Sequence, residues 1–510
     1  MNKDRREFLL KSCGALSMGA VASQMRHLGM MSAAAQSAID SDAPAIPSDY
    51  RALVCIFMQG GNDGNNMVIP NHTVGSSNTW DNYNNVRSGQ GLSLTQAQLA
   101  NTSINVPIIG NLAYALHPGF GVQTPATNIV NNGIHELWDL GKLAAVTNVG
   151  TLVTPTTRTT YLNNSVPKPY QLFSHSDQVS QYQGGRSDSQ VFTGWGGRIS
   201  DLRSAIDNPA PPALIPMITS IAGAQLFTSG QFTLPMAIAD SNTSLQNVLN
   251  PVGFGTNAAE VSRKSAFNAL RQQDIASSSN YIAAASKITD LAISANNALQ
   301  PVTTLTTPFP NTSIGRQLKQ TALMIKKRNE LFMNRQIFYV QLGSFDTHTN
   351  QLATQSNLLI QLSQAMRAFY DEMTVQGIAD KVTQFTMADF SRTFVPAGTG
   401  STVVGSDHAW GNHMLVVGGG VTAKNFYGMN GSNGTPYPQL STNTADDSDN
   451  GTAARGRWVP ATSVEQYAAT LARWFGVPTA DMATVFPKLP NFSNSGGINT
   501  DLGFMQPPAP

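Results

Sequence analysis

The sequence predicts an α/β fold, with a mostly parallel central sheet sandwiched by helices. Three observations predict it. Continuous apolar runs of strand length recur along the chain, and each opens into or follows a loop bearing Gly, Asn, Asp or His. Segments with helical periodicity lie between those runs, the alternation expected of a sheet covered on both faces. The chain is 41% hydrophobic over 510 residues, so it can bury a large core.

The elements follow in order. Asp4-Arg5-Arg6-Glu7-Phe8-Leu9-Leu10-Lys11 is a twin-arginine pattern, followed by a mildly apolar stretch from Cys13 to about Ala22 and small residues at Ala33-Ala34-Ala35. We read residues 1–35 as a removable signal for the twin-arginine export machinery, and 36–510 as one large domain. The expected location is periplasmic or secreted, in a bacterium. The apolar stretch is too short to span a bilayer and no later run approaches that length, so no stable membrane span is expected. The chain has two cysteines, Cys13 and Cys55. Once the signal is removed, neither an intramolecular disulfide nor a thiolate zinc cluster is possible. A net charge of +1 and the lack of a basic stripe argue against nucleic acid.

Ala52–Met58 is the first apolar run, ending in Gln59-Gly60-Gly61-Asn62-Asp63-Gly64. Leu143–Val149, Gln336–Leu342, Val382–Met387 and Met414–Gly418 read as further strands. Helical periodicity covers 258–300, 314–335, 352–376 and 464–475. Segments near 75–110 and 428–457, rich in Asn, Ser, Thr and Gly, read as long surface excursions.

Chemistry concentrates after the strands. Phe345-Asp346-Thr347-His348 follows the third run, and residues two apart in extended backbone point to one side, so Asp346 and His348 can reach one ion. Ser406-Asp407-His408 and His413 precede the fifth run. Carboxylate oxygen with neutral imidazole is a donor set for a divalent metal. Asp63 is a further candidate ligand at the mouth of the first strand; the competing reading is an Asn-Asp-Gly turn. Ser174, in Ser174-His175-Ser176-Asp177, is the candidate nucleophile at a helix start; Ser176 as a helix cap is the alternative. Arg392, in Asp389-Phe390-Ser391-Arg392, is a candidate clamp for a phosphoryl or sulfuryl group, or else a partner of Asp389.

These residues resemble a family. Phe57 through Asn66, Leu116-His117-Pro118, Phe173-Ser174-His175, Asp389 through Thr393 and Asp407-His408-Ala409-Trp410-Gly411 are similar to the twin-arginine-exported proteins called domain of unknown function 1501, as is Gln466 through Val477. That family looks like a remote relative of the alkaline phosphatase and sulfatase superfamily. The resemblance implies an alkaline-phosphatase-like fold and one or two divalent ions (zinc, calcium, magnesium or manganese). It also implies an Asp ligand matching Asp63, a hydroxyl nucleophile matching Ser174, and later ligands matching Asp346, His348, Asp407 and His408. The pattern departs from the superfamily in three places. Asn350 stands where a histidine four after Asp346 is usual, and no histidine follows His413. Asp389, rather than Asp407, directly follows its strand.

The expected function is metal-dependent hydrolysis of phosphate or sulfate esters, on a small-molecule or polymer substrate. The alternative is a non-catalytic exported binding or assembly protein on a degenerate hydrolase scaffold.

Overall fold

The computed structural model describes residues 49–123, 133–233, 235–248, 257–275, 292–398, 404–493 and 500–507. The twin-arginine segment and the expected cleavage site lie outside these residues.

The apolar runs form one nine-stranded sheet, ordered β11-β5-β10-β9-β1-β8-β6-β7, with β12 also paired to β5. Its centre comprises β1 (Arg51–Met58), β5 (Leu143–Gly150), β8 (Arg335–Leu342), β9 (Val382–Ala388) and β10 (Asn412–Gly418). The short strands β6 (Ile218–Ser220), β7 (Met236–Ala237), β11 (Phe426–Tyr427) and β12 (Thr462–Ser463) extend it. β1 pairs in parallel with both β8 and β9. β10 alone runs against its neighbours, β5 and β9. Its first residue, Asn412, lies opposite Val149, so the start of β10 sits at the carboxyl edge of the parallel strands.

Every residue of β1 is buried, which is why the run is apolar throughout rather than alternating. Successive side chains along β9 address the two faces. Gln384 reaches the carbonyl of Met366 on one face, while Phe385 packs against Trp195 and Tyr467 on the other.

The longer helices include α1 (Trp80–Arg87), α2 (His175–Gly184), α3 (Trp195–Asp207), α4 (Ala258–Ile275), α5 (Ser313–Lys326), α6 (Gln351–Val375) and α7 (Val464–Phe475). Local chemistry marks their ends. Ser463 and Gln466 form a reciprocal capping box at the start of α7, and Gly476 closes it in the left-handed conformation. Such a cap contributes about 1 kcal/mol. The helix expected over 314–335 stops at Lys326, because Arg335 pairs with Arg51 at the start of β8 and the chain must first reverse. Residues 276–291 of the expected 258–300 helix lie outside the described residues.

The excursion near 75–110 is more ordered than its composition suggests. It contains α1 and β3 (Ser103–Val106), which joins β2 (Val68–Pro70) and β4 (Leu112–Leu116) in a three-stranded antiparallel sheet. Tyr83, Leu99 and Ile104 bury its inner side. The segment 428–457 contains one short 3₁₀ turn and is folded around Asp446 and Asp447, whose carboxylates accept backbone N–H groups from Ser432, Gln439, Asn443 and Gly456.

Candidate metal centre

Four loops meet at the carboxyl edge of the sheet. After β1 the chain turns through Gly60, whose φ is 111°; a Cβ there would stand 2.4 Å from the backbone nitrogen of Asp346. Only glycine tolerates both the conformation and the approach. After β8 come Asp346 and His348. After β9 come Asp389 and Arg392. The chain then leaves the sheet and returns along itself: Arg392 bridges His408 and Ala397 bridges Gly405, both antiparallel. These bridges set Asp407 and His408 beside Asp389–Thr393. The helix start at His175 completes the group.

The two Asp/His segments touch. His348 Nε2 lies 3.1 Å from His408 Nε2. Three imidazole Nε2 atoms converge on one carboxylate oxygen, Asp346 Oδ1: His348 at 3.0 Å, His175 at 3.5 Å and His408 at 3.6 Å. Each ring is held from behind. His175 Nδ1 donates to Asp389 Oδ2 at 2.7 Å, and the other oxygen of Asp389 accepts the Gly60 N–H at 3.0 Å. His408 Nδ1 stands 2.9 Å from the carbonyl of Phe173. His348 Nδ1 stands 3.6 Å from Asp407 Oδ1. Carboxylates and carbonyls only accept, so the Nδ1 protons of His175 and His408 are assigned by their partners, and in the neutral rings Nε2 carries a lone pair.

Lone pairs facing a carboxylate repel unless a proton or cation lies among them. The pKa of His175 is raised accordingly. The hydrogen bond to Asp389 is the largest cause; burial opposes it, and the charges of Asp389 and Asp346 reinforce it. Burial lowers that of His408. For Asp346, burial acts to raise the pKa, but the hydrogen bond and charge of Arg392, with His175 and His348, carry it below the usual value. The ligand side is open and the support is closed: side-chain exposure is 32% for His175 and 47% for Asp346, against 1% for Asp389 and 0% for Arg392.

These residues fit a divalent metal. His175 Nε2 is buried and finds no hydrogen-bond partner. The ligand atoms of His175, Asp346 and His408 all lie within 4.8 Å of one another. Ligands about 2.0–2.1 Å from a tetrahedral zinc stand about 3.4 Å apart, close to the 3.0–3.6 Å separations here. Carboxylate or carbonyl backing of a metal-bound imidazole is the usual outer shell of such sites.

Some expected residues stand elsewhere. Asp63 is not in the group. It is fully buried, with Oδ1 accepting from the backbone and side-chain nitrogens of Asn65, and Oδ2 accepting from Arg87 and Gln351. His413 is buried against Tyr437, its Nδ1 accepts the Asn148 N–H, and burial lowers its pKa to about 3. Arg392 is not positioned as an exposed clamp. It is wholly buried, and its donors go to the carbonyls of Gly60, Gly61 and Ser406 and to Asp346. Asp407 supports His348 and pairs with Arg455 rather than pointing at the cluster. Ser174, not Ser176, is the helix N-cap, and its hydroxyl donates to Asp177 at 2.6 Å. Sequence reading missed His175 and Asp389 as a pair. The signal for them is that His175 directly follows Ser174, and that Asp389 directly follows its strand, three residues before Arg392.

No curated protein matches the chain. Among solved structures, it is similar to the PsFucS1 sulfatase from Pseudoalteromonas sp., at 9% identity over 74% of this chain and 64% of that one, with a TM-score of 0.26. It is also similar to a mutant of the alkaline phosphatase PafA, at 10% identity over 68% of this chain and 64% of that one, with a TM-score of 0.21. The chain therefore spans 64% of the length of each. A family model matches residues 50–444, and the chain belongs to that family, described as protein of unknown function (DUF1501).

Proposed function

We propose that this protein is an exported, metal-dependent hydrolase of phosphate or sulfate esters. The observation that carries the reading is the convergence of three imidazole Nε2 atoms on Asp346 Oδ1 at an exposed sheet edge. His175, His408, Asp346 and His348 would hold the ion. A divalent ion there supplies Lewis acidity toward an ester oxygen. The guanidinium groups of Arg455 and Arg457 lie beside Asp407 and the backbone of His408, each paired with a carboxylate, Asp407 and Asp449 respectively. Ser174 immediately precedes His175. In the proposed attack its Oγ bonds to phosphorus or sulfur while its proton passes to Asp177, already 2.6 Å away. The bond to the ester's alcohol oxygen breaks, and the alcohol leaves after taking a proton from water. A second water then cleaves the seryl ester to release phosphate or sulfate and restore the hydroxyl. The export half of the proposal rests on Arg5-Arg6 and the segment that follows.

The test is a panel of chromogenic phosphate monoesters, phosphodiesters and sulfate esters, assayed on purified protein before and after chelation and with added divalent ions. Turnover that chelation removes and metal restores is expected. Absence of turnover with every ion and ester would sink the hydrolase reading.

A second reading, non-catalytic binding, is favoured by one contact. Arg392 donates to Asp346 Oδ1, and its Nη1 lies 3.4 Å from His348 Nε2, so a resident cation already engages two of the prospective ligands. Metal binding without turnover on the panel would support it.

A further inference from the structure

We infer that this centre takes one metal ion per chain, a nitrogen-preferring transition ion of the zinc type: the carboxylates a second ion would need are already engaged within the protein, and the fixed charge of Arg392 opposes a second cation. The inference rests on the metal-dependent reading above.

A two-metal centre places its ions about 3.5–4 Å apart and needs a second anionic ligand set beside the first. The sheet edge has the carboxylates, but they are already engaged. Asp63 offers about four acceptor directions. Asn65 takes two of them, and Arg87 and Gln351 take the others. Arg87 and Asp63 are both 0% exposed, so the pair cannot trade its partner for a hydrated ion without leaving a buried charge uncompensated. Asp389 gives one oxygen to Gly60 and the other to His175. Asp407 gives Oδ2 to Arg455.

Arg392 closes the remaining approach. Its guanidinium sits in a cage of the Gly60, Gly61 and Ser406 carbonyls and faces Asp346. A guanidinium does not deprotonate in a protein, so its charge is permanent and repels a second cation. Among the described residues, His175, Asp346 and His408 are the group of His, Cys, Asp or Glu side chains with mutually close ligand atoms. Its nitrogen content sets the class of ion. Calcium and magnesium select oxygen-rich sites, whereas imidazole suits zinc and its first-row neighbours. Arg87 and Arg392 each fix a carboxylate, Asp63 and Asp346 respectively.

The experiment is metal titration of chelator-stripped full-length protein with zinc or cobalt(II). It is read by elemental analysis after desalting and by the visible spectrum of the cobalt form. We expect one equivalent retained, a tetrahedral-type cobalt spectrum, and affinity at least a hundredfold weaker in His175→Ala and His408→Ala, with folding checked by circular dichroism. Asp63→Asn, where it folds, should still retain one equivalent. Two equivalents would overturn the inference while leaving the metal-dependent reading intact. So would preference for calcium or magnesium, or unchanged affinity in both histidine variants. Failure to retain any ion would overturn the metal-dependent reading itself, a different result from either of those.

Discussion

Asp389→Asn is the sharpest perturbation of the centre. Asp389 is buried and bridges two donors: the Gly60 N–H at 3.0 Å on one oxygen and His175 Nδ1 at 2.7 Å on the other. An asparagine offers one acceptor and one NH₂ at the same place. If its oxygen stays on Gly60, the NH₂ faces the His175 Nδ1–H, and two donors oppose each other. The ring relieves this by moving its proton to Nε2, and the lone pair that faces Asp346 is lost. If the amide flips, the conflict passes to Gly60 and loosens the turn that abuts Asp346. Either way the metal ligand set is damaged without removing a ligand. Loss of such an outer-shell partner costs about tenfold to a hundredfold in metal affinity, or about 1.4–2.7 kcal/mol. Competition against a chromogenic chelator measures it directly. The argument also requires non-additivity: on a His175→Ala background, Asp389→Asn should cost almost nothing further, because the two act through one ring. Unchanged affinity in the single variant, or full additivity in the double, would refute the reasoning.

Three other predictions concern the surrounding structure. Glu465 is fully buried, and burial raises its pKa from 4.5 to about 7. The folded chain therefore keeps a proton that the unfolded chain has released between those values, and stability should fall as pH rises through that window. The loss is up to about 3 kcal/mol; denaturation midpoints should show the slope in the native protein and a flatter one in Glu465→Gln, and equal slopes would contradict the burial argument. In Gly405→Ala, the new Cβ would stand 2.2 Å from the carbonyl carbon of His348. The His348 and His408 segments should separate, at a cost of about 1–3 kcal/mol in stability and with weaker metal binding; a variant with native stability and native affinity would show that the two segments are not held by that contact. Arg87→Met leaves Asp63 buried without its cation and should cost about 3–5 kcal/mol, part of which Asp63→Asn should restore in the double variant, as measured by thermal unfolding.

Much of the frame was legible because burial writes itself into composition. β1, β5, β8 and β9 are buried almost throughout and mostly apolar, since both faces are covered, and their ends can be read to within a residue or two. The direction of β10 was not legible, since an apolar run reads the same either way; pairing with β5 and β9 decides it. At the site, the spacing of Asp346 and His348 is local and does bring both to one point. The pairing of His175 with Asp389 joins residues 214 apart in sequence, with no local pattern to announce it. Asp63 looked like a ligand because nothing near it in sequence shows Arg87, which reaches it from α1, 24 residues on. His413 shares its strand-edge neighbourhood with His408. Only its enclosure by Asn148 and Tyr437 separates a structural imidazole from one offered to solvent.

The buried arginines Arg87 and Arg392 have a physical explanation. A carboxylate brought to the sheet edge must be neutralised by an ion or by a side chain, since leaving it buried and alone is costly. In this chain Asp63 takes Arg87 and Asp346 takes Arg392. The Arg87 guanidinium removes the need for a metal at Asp63, whereas Arg392 leaves the open side of Asp346 to the imidazoles and, by its charge, opposes a second cation beside it. Asn350, four residues after Asp346, takes the left-handed conformation that leads into α6. The imidazoles that remain, His175, His348 and His408, come from three separate segments and are aimed at the one carboxylate oxygen with a solvent-facing side. If these imidazoles hold an ion as proposed, the protein's specificity is expected to lie in what approaches the open side of Asp346.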